Sequence, residues 1–151
     1  MKNITSLRSR KARGFTLIEM LIATAVAGVL SSIAYPSFTG TVQKVRRTDA
    51  LVAMLQVQAA QERWRSSNVS YGSLAEIRQG AVSPAKHYDI DLRATTETGY
   101  EVMATARGAQ SRDIHCRTMK LVMSGMNPSY SSGPDADHAN PADINRQCWN
   151  L

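Results

Sequence analysis

Between Phe15 and Phe38 the chain carries a single charge, Glu19, in twenty-four residues, and the fourteen residues before that run hold Lys2, Arg8, Arg10, Lys11 and Arg13 with no acid. About twenty predominantly apolar residues span the hydrocarbon of a bilayer as an α-helix. A chain built this way must bury the helix in lipid or against other helices. A carboxylate inside such a stretch is expensive in hydrocarbon. It protonates, pairs with a cation or snorkels to the interface. Leaving one partner of a buried ion pair uncompensated costs about 3–5 kcal/mol, so a partner for Glu19 would select one packing register over others.

Met1–Gly14 followed by Phe15-Thr16-Leu17-Ile18-Glu19 resembles the class III signal of type IV pilins and pseudopilins. The resemblance implies that a membrane prepilin peptidase cuts between Gly14 and Phe15, that the new amine on Phe15 is methylated, and that the apolar helix is kept as the packing core of a filament. It further implies other pilin subunits as partners in a homo- or hetero-polymer, an inner-membrane assembly machinery, and membrane lipid before assembly. Cleavage would leave an ammonium on Phe15, four residues before Glu19. The same amine on a neighbouring subunit is a suitable counter-ion in a dry core. A competing reading is an ordinary secretory signal, with Ser32-Ile33-Ala34 as a small-x-small cleavage site releasing a soluble periplasmic domain. Glu19 inside the apolar run and the ready Gly14-Phe15 junction speak against it.

The net charge of +6 belongs mostly to the leader. Five of the eighteen Lys and Arg lie there, which leaves thirteen against twelve acids in the remaining 137 of 151 residues. The high pI is therefore a topology signal rather than a sign of bulk nucleic-acid affinity. Basic residues stay cytoplasmic, so the C-terminal part is expected in the periplasm before assembly and on an extracellular pilus afterwards.

Small residues recur at Ala23, Ala27 and Ser31 and at Thr24, Gly28 and Ser32, a spacing that lets helices approach closely in lipid. Pro36 removes a helix hydrogen bond and, with Gly28, is expected to kink or loosen the helix; in related pilins the segment between the equivalents of these two positions can unwind within the filament. Beyond Phe38 the periodicity is amphipathic: Val45, Val52, Leu55 and Ala59, with Leu51 alongside, share one face, and Gln43, Lys44, Arg46, Arg47, Gln61 and Arg65 lie on others. That stripe is expected to bury against a sheet, with Trp64 at the junction and Ser66-Ser67-Asn68 ending the helix. From Phe15 to Ser66 such a helix would run about 78 Å. Period-two alternation then marks strands at Tyr88/Ile90/Leu92, at Tyr100/Val102/Ala104 and over Arg117–Met123, an antiparallel sheet with one wet face. The tail from Ser124 to Gln147 is rich in Ser, Gly, Asn, Pro and Asp, and Pro128, Pro134 and Pro141 argue against a regular helix or central strand there. The expectation is an α+β pilin fold, organised as a leader (1–14), a membrane and filament-core helix (15–38), an amphipathic half (39–66) and a head (67–151).

Cys116 and Cys148 are the two cysteines, and an even count in an exported segment reads as one disulfide. Closing a loop of that length contributes about 3–4 kcal/mol in the chain-entropy model. A Cys–His metal site using His115 and Cys116 with His87 or His138 is the rival, weakened by the poor geometry of adjacent ligands. Asp135, Asp137 and Asp143 offer oxygens for calcium, but without a glycine-turned loop or a bidentate Glu. Lys86-His87-Tyr88, Ala104-Thr105-Ala106, Asp113 before Cys116, and Cys148-Trp149 resemble PilE-like minor pilins, including relatives that act as DNA-uptake receptors. In such pilins the loop bounded by the C-terminal cysteine pair is the variable, exposed face. Arg107, Arg112, Arg117 and Lys120 then form a candidate phosphate-gripping set around the disulfide. No nucleophile–base–orienter pattern or phosphate loop is found, so neither an enzyme nor a cofactor is expected. The readings in play are a structural minor pilin, a DNA receptor built on that scaffold, and a type II secretion pseudopilin.

Overall fold

The computed structural model describes residues 14–93 and 95–151, apart from the side chains of residues 35–37. Helix α1 covers Leu17–Arg65; strands β1 (Tyr88–Arg93), β2 (Gly99–Ala106), β3 (Thr118–Ser124) and β4 (Asn127–Gly133) follow, and helix α2 (Ala142–Trp149) comes last. The chain divides into two compact units, Met1–Phe38 and Thr39–Leu151, each described by itself.

In the first unit every described side chain from Gly14 to Ala34 is exposed. Leu17–Ala34 is long and apolar enough to cross a membrane. The few polar groups of this stretch satisfy themselves. Thr24 Oγ1 donates to the carbonyls of Met20 and Leu21 (both 3.0 Å), and Ser31 Oγ and Ser32 Oγ donate to those of Ala27 and Val29 (both 2.7 Å). Hydrocarbon demands this, since it offers no water to a free hydroxyl. The helix continues through Gly28 and Pro36, so neither residue ends it.

The second unit is a four-stranded antiparallel sheet in the order β1-β2-β3-β4 with the rest of α1 on one face. Ile90 faces Ala104, Val102 faces Leu121, and Leu121 faces Tyr130 across the ladders. Tyr88, Ile90, Tyr100, Val102, Ala104, Met119, Leu121 and Met123 form the sheet half of the core, as the alternation predicts.

The helix half departs from expectation. The core-facing residues of α1 are Ala50, Ala53, Met54, Val57, Ala60 and Gln61, whereas Val45, Val52, Leu55 and Ala59 are exposed. Small alanines let the helix axis approach the sheet closely, and the bulkier Val/Leu stripe is left for other surfaces. Gln61, assigned by periodicity to a polar face, is fully buried: its Nε2 donates to the Gly72 carbonyl (2.6 Å) and its Oε1 accepts from the Gly72 amide (3.0 Å).

The tail is also more regular than expected. Gly125, at φ 61°, turns the chain after β3 into a fourth strand. Pro128 is tolerated because β4 is an edge strand. Pro141 does not exclude a helix; it precedes α2 in extended conformation (ψ 161°), and Asn150 ends α2 in the left-handed region. A proline just ahead of a helix loses no intrahelical bond.

Candidate functional site

The N-terminus of α1 is closed by Thr16 and Glu19. The Thr16 amide and hydroxyl donate to Glu19 Oε2 (2.8 and 2.7 Å), and the Glu19 amide donates to Thr16 Oγ1 (3.2 Å). This is a capping box. Thr-x-x-Glu is its local signal in the sequence, one that sequence reasoning about an intersubunit partner for Glu19 missed. The arrangement occupies one carboxylate oxygen and leaves Oε1 able to accept from a cation. Phe15 (79% exposed) lies just ahead of the cap, beside the Gly14 junction.

Basic residues of the second unit separate into distinct settings. Arg107 lines a cleft of about 350 Å³ with Lys86, His87, Gly108 and Ala109, and its Nε lies 3.2 Å from Asp89 Oδ1. Arg112 closes the 3-10 turn Gly108–Arg112. Arg117 is tied down, its Nε donating to the Ser111 carbonyl (3.0 Å). Lys120 is half-buried on β3, alternating with Met119 and Leu121 and therefore on the sheet face away from α1, where its charge reaches His138.

Asp49 of α1 holds the Lys86–His87 segment. Its carboxylate accepts from Ser83 Oγ (2.5 Å) and from the amides of Ala85 (2.9 Å) and His87 (3.1 Å). Partial burial pushes this carboxyl up, but those three bonds outweigh it and hold it below the usual carboxylate range. Arg47, also on α1, makes a bidentate pair with Asp113 (2.6 and 2.9 Å) and donates to the Gln147 carbonyl (3.3 Å). Gln110 Nε2 joins the same knot, reaching the Gln43 carbonyl, Tyr88 Oη and Asp113 Oδ2 at 3.1–3.2 Å. Burial pushes the Tyr88 phenol up to about 12, so it stays a neutral partner of Gln110. Sequence reasoning missed these clamps, because residues 66 positions apart, as Arg47 and Asp113 are, share no local pattern.

Cys116 and Cys148 are joined, with Cα atoms 5.4 Å apart, so neither is a thiolate available to a metal. Around them Asn140 Nδ2 donates to the His115 carbonyl (2.5 Å), and Trp149 Nε1 donates to the Ser131 carbonyl (3.2 Å) while its ring packs on Tyr130. Asp135 and Asp137 share a local turn through the Asp137 amide (3.1 Å), and Asp143 sits in the first turn of α2.

A family profile described as a prokaryotic N-terminal methylation motif matches residues 9–35. Among curated proteins, type II secretion system core protein G of Klebsiella pneumoniae is 28% identical over 60% of this chain and 64% of its own length. The type IV major pilin protein PilA of Myxococcus xanthus is 29% identical over 67% of this chain and 41% of its own. Prepilin peptidase-dependent protein D of Escherichia coli is 26% identical over 67% of this chain and 62% of its own. The chain thus spans less than two-thirds of the length of these relatives. A second profile, described as type IV minor pilin ComP, DNA uptake sequence receptor, matches residues 36–120, more than half of the chain and most of the helix-on-sheet unit described above. With a methylation-type leader ahead of a capped apolar helix, and that helix followed by a disulfide-closed sheet, the chain belongs to the type IV minor pilin family.

Proposed function

We propose that this minor pilin is made as a single-pass prepilin, cut after Gly14 and drawn through α1 into a type IV pilus with other pilin subunits. The observation that carries the reading is the apolar stretch Leu17–Ala34, none of it buried within the chain. In lipid that surface is satisfied before assembly; in a filament it is satisfied by neighbouring helices. The basic leader supports a cytoplasmic N-terminus and a periplasmic head. Glu19 Oε1 would take the Phe15 ammonium of a neighbour while Oε2 keeps the helix cap. Sheared filaments should contain a mature chain beginning at N-methylated Phe15, read by mass spectrometry. Glu19→Ala should be processed normally yet be depleted from filaments; normal incorporation would remove the register role.

The family description favours a second reading, capture of extracellular DNA by the head, with Arg107, Arg112, Arg117 and Lys120 as candidate contacts. Retention of duplex DNA that weakens with salt and is lost in Arg112→Ala/Arg117→Ala would support it; salt-independent retention would not. The secretion-system relatives keep a pseudopilin role in view. It requires a protein-secretion defect on deletion, whereas the pilus reading requires a filament defect.

A further inference from the structure

We infer that the cleft of Lys86, His87 and Arg107 is a phosphodiester site that grips a nucleic-acid backbone without reading its sequence; this rests on the DNA-capture reading and names its phosphate anchor. The side chains with charge or hydrogen-bonding capacity that line the cleft are one ammonium, one guanidinium and one imidazole, and the other lining residues are Gly108 and Ala109. No carboxylate belongs to the lining. Asp89, outside the lining, lies 3.2 Å from the Nε of Arg107, so an oxyanion would share this guanidinium with it. Asp49, beside the same segment, is spent on a hydroxyl and two amides.

The cleft is also pre-formed. Lys86 sits in the left-handed region (φ 62°), a conformation costly for a lysine unless its surroundings impose it. They do so through the Lys86 amide on the Ser83 carbonyl (2.9 Å), the three bonds to Asp49, and the Arg107 amide on the His87 carbonyl (2.8 Å). Loop and strand end are thereby held together before any ligand arrives, which lowers the ordering cost of binding. Gly108 has nothing within 4 Å of where a Cβ would stand, so the wall beside the cations is open to a bulky anion.

The composition of the lining favours a backbone contact. Reading adenine takes a side-chain amide, and stacking an exposed base takes an aromatic ring. The lining has neither amide nor ring beyond His87. Its cations match a phosphate, the contact that positions a protein on DNA rather than specifying sequence, and comparison of unrelated sequences separates this from Arg107 or Lys86 reading a guanine edge.

The test uses the full chain in detergent micelles, with fluorescent duplexes of several unrelated sequences titrated from low to physiological salt. Lys86→Asn/Arg107→Gln removes both fixed charges; asparagine tolerates the left-handed backbone, and a thermal melt checks the fold. The variant should lower the slope of log affinity against log salt by roughly two and weaken every sequence by the same factor. The control Lys44→Gln/Arg146→Gln, which removes two charges elsewhere on the second unit, should keep the wild-type slope. If the double variant melts early, Arg107→Gln alone should lower the slope by roughly one. Wild-type slope and affinity in the cleft variant would overturn the site and leave DNA capture standing. An equal loss in the control would also overturn it, by showing diffuse attraction in place of a built site. Absence of duplex binding by the wild type would remove the DNA reading and this inference together.

Discussion

Gln61 lies on the core-facing side of α1 with both ends of its amide engaged by the backbone of Gly72. That single residue fastens the loop after α1 to the helix. Gln61→Leu fills the volume but strands a buried donor and a buried acceptor, and each such group costs about 1–3 kcal/mol. Chemical denaturation should show a loss of at least 2 kcal/mol, and a neutral effect would mean that water replaces the amide. His138 is another buried polar residue whose burial no local pattern shows. It is 7% exposed, at φ 52°, and neither ring nitrogen is paired with a protein group. Gly133 makes room for it, since a Cβ there would lie 2.8 Å from His138 Cα. Burial first, then the nearby Lys120, hold its imidazole below 6.5, against the weaker pull of the Ala136 backbone, Glu101 and Asp135. The unfolded chain therefore binds a proton at a higher pH than the folded one. The contribution of His138 is complete above pH 6.5 and declines as pH falls from 6.5 toward the folded value. Asp49, with its carboxyl held low, adds a further loss at more acidic pH, because its stabilisation is present above the unfolded carboxylate range and fades below it. His138→Asn should flatten the melting temperature between pH 7 and the onset of carboxylate titration while leaving the lower-pH loss; an unchanged slope would assign the first window to another group. Thr16 and Glu19 contrast with both residues. Their three-residue spacing is local, so the cap is legible in the sequence, whereas burial of Gln61 and His138 depends on segments distant along the chain.

Elements show the same division. Period-two patterns located β1, β2 and β3 to within a residue or two, because alternation is stored in the strand itself. The face that α1 turns to the sheet was misassigned. Periodicity identified an apolar stripe at Val45, Val52 and Leu55, but it cannot say what covers a stripe, and here it is exposed at 67%, 40% and 62%. The sheet instead takes the small-residue face of Ala50, Ala53 and Ala60. β4 and α2 were passed over because Pro and Gly counted as breakers, when their positions at an edge strand, a tight turn and a helix start made them compatible. The clamp between α1 and the disulfide region follows from no such pattern. Asp113 is 4% exposed and Arg47 15%, so Arg47→Met leaves a buried carboxylate with only Gln110 for support. Removing one partner of a buried pair costs about 3–5 kcal/mol. The expected readout is a fall in denaturation midpoint with unchanged slope, relieved in Arg47→Met/Asp113→Leu, where no charge is stranded. A double variant no better than the single one would show that the pair itself contributes net stability.

On the scale of the whole molecule, the two units are held by different solvents. The apolar half of α1 buries nothing within the chain, so lipid or other subunits must supply its stability. The core of the second unit is drawn entirely from residues beyond Thr39, running from Ala50 to Trp149, with the disulfide inside it. The apolar run marks the helix of the first unit plainly, because apolar length is stored in local sequence. The second unit was visible only in outline, because its core is assembled from contacts between distant segments. If the division is energetic as well as geometric, removing residues 1–38 should leave a water-soluble, oxidised domain. It should melt cooperatively, with the same pH dependence from His138 and the same sensitivity at Arg47 as the full chain in detergent. Circular dichroism against temperature and size-exclusion chromatography would measure this, with the full chain requiring detergent throughout. A truncated chain lacking a cooperative melt would show that the missing half of α1 stabilises the head. A soluble, monomeric full chain without detergent would show that the apolar half finds cover within its own molecule, and would withdraw the reason for assembly.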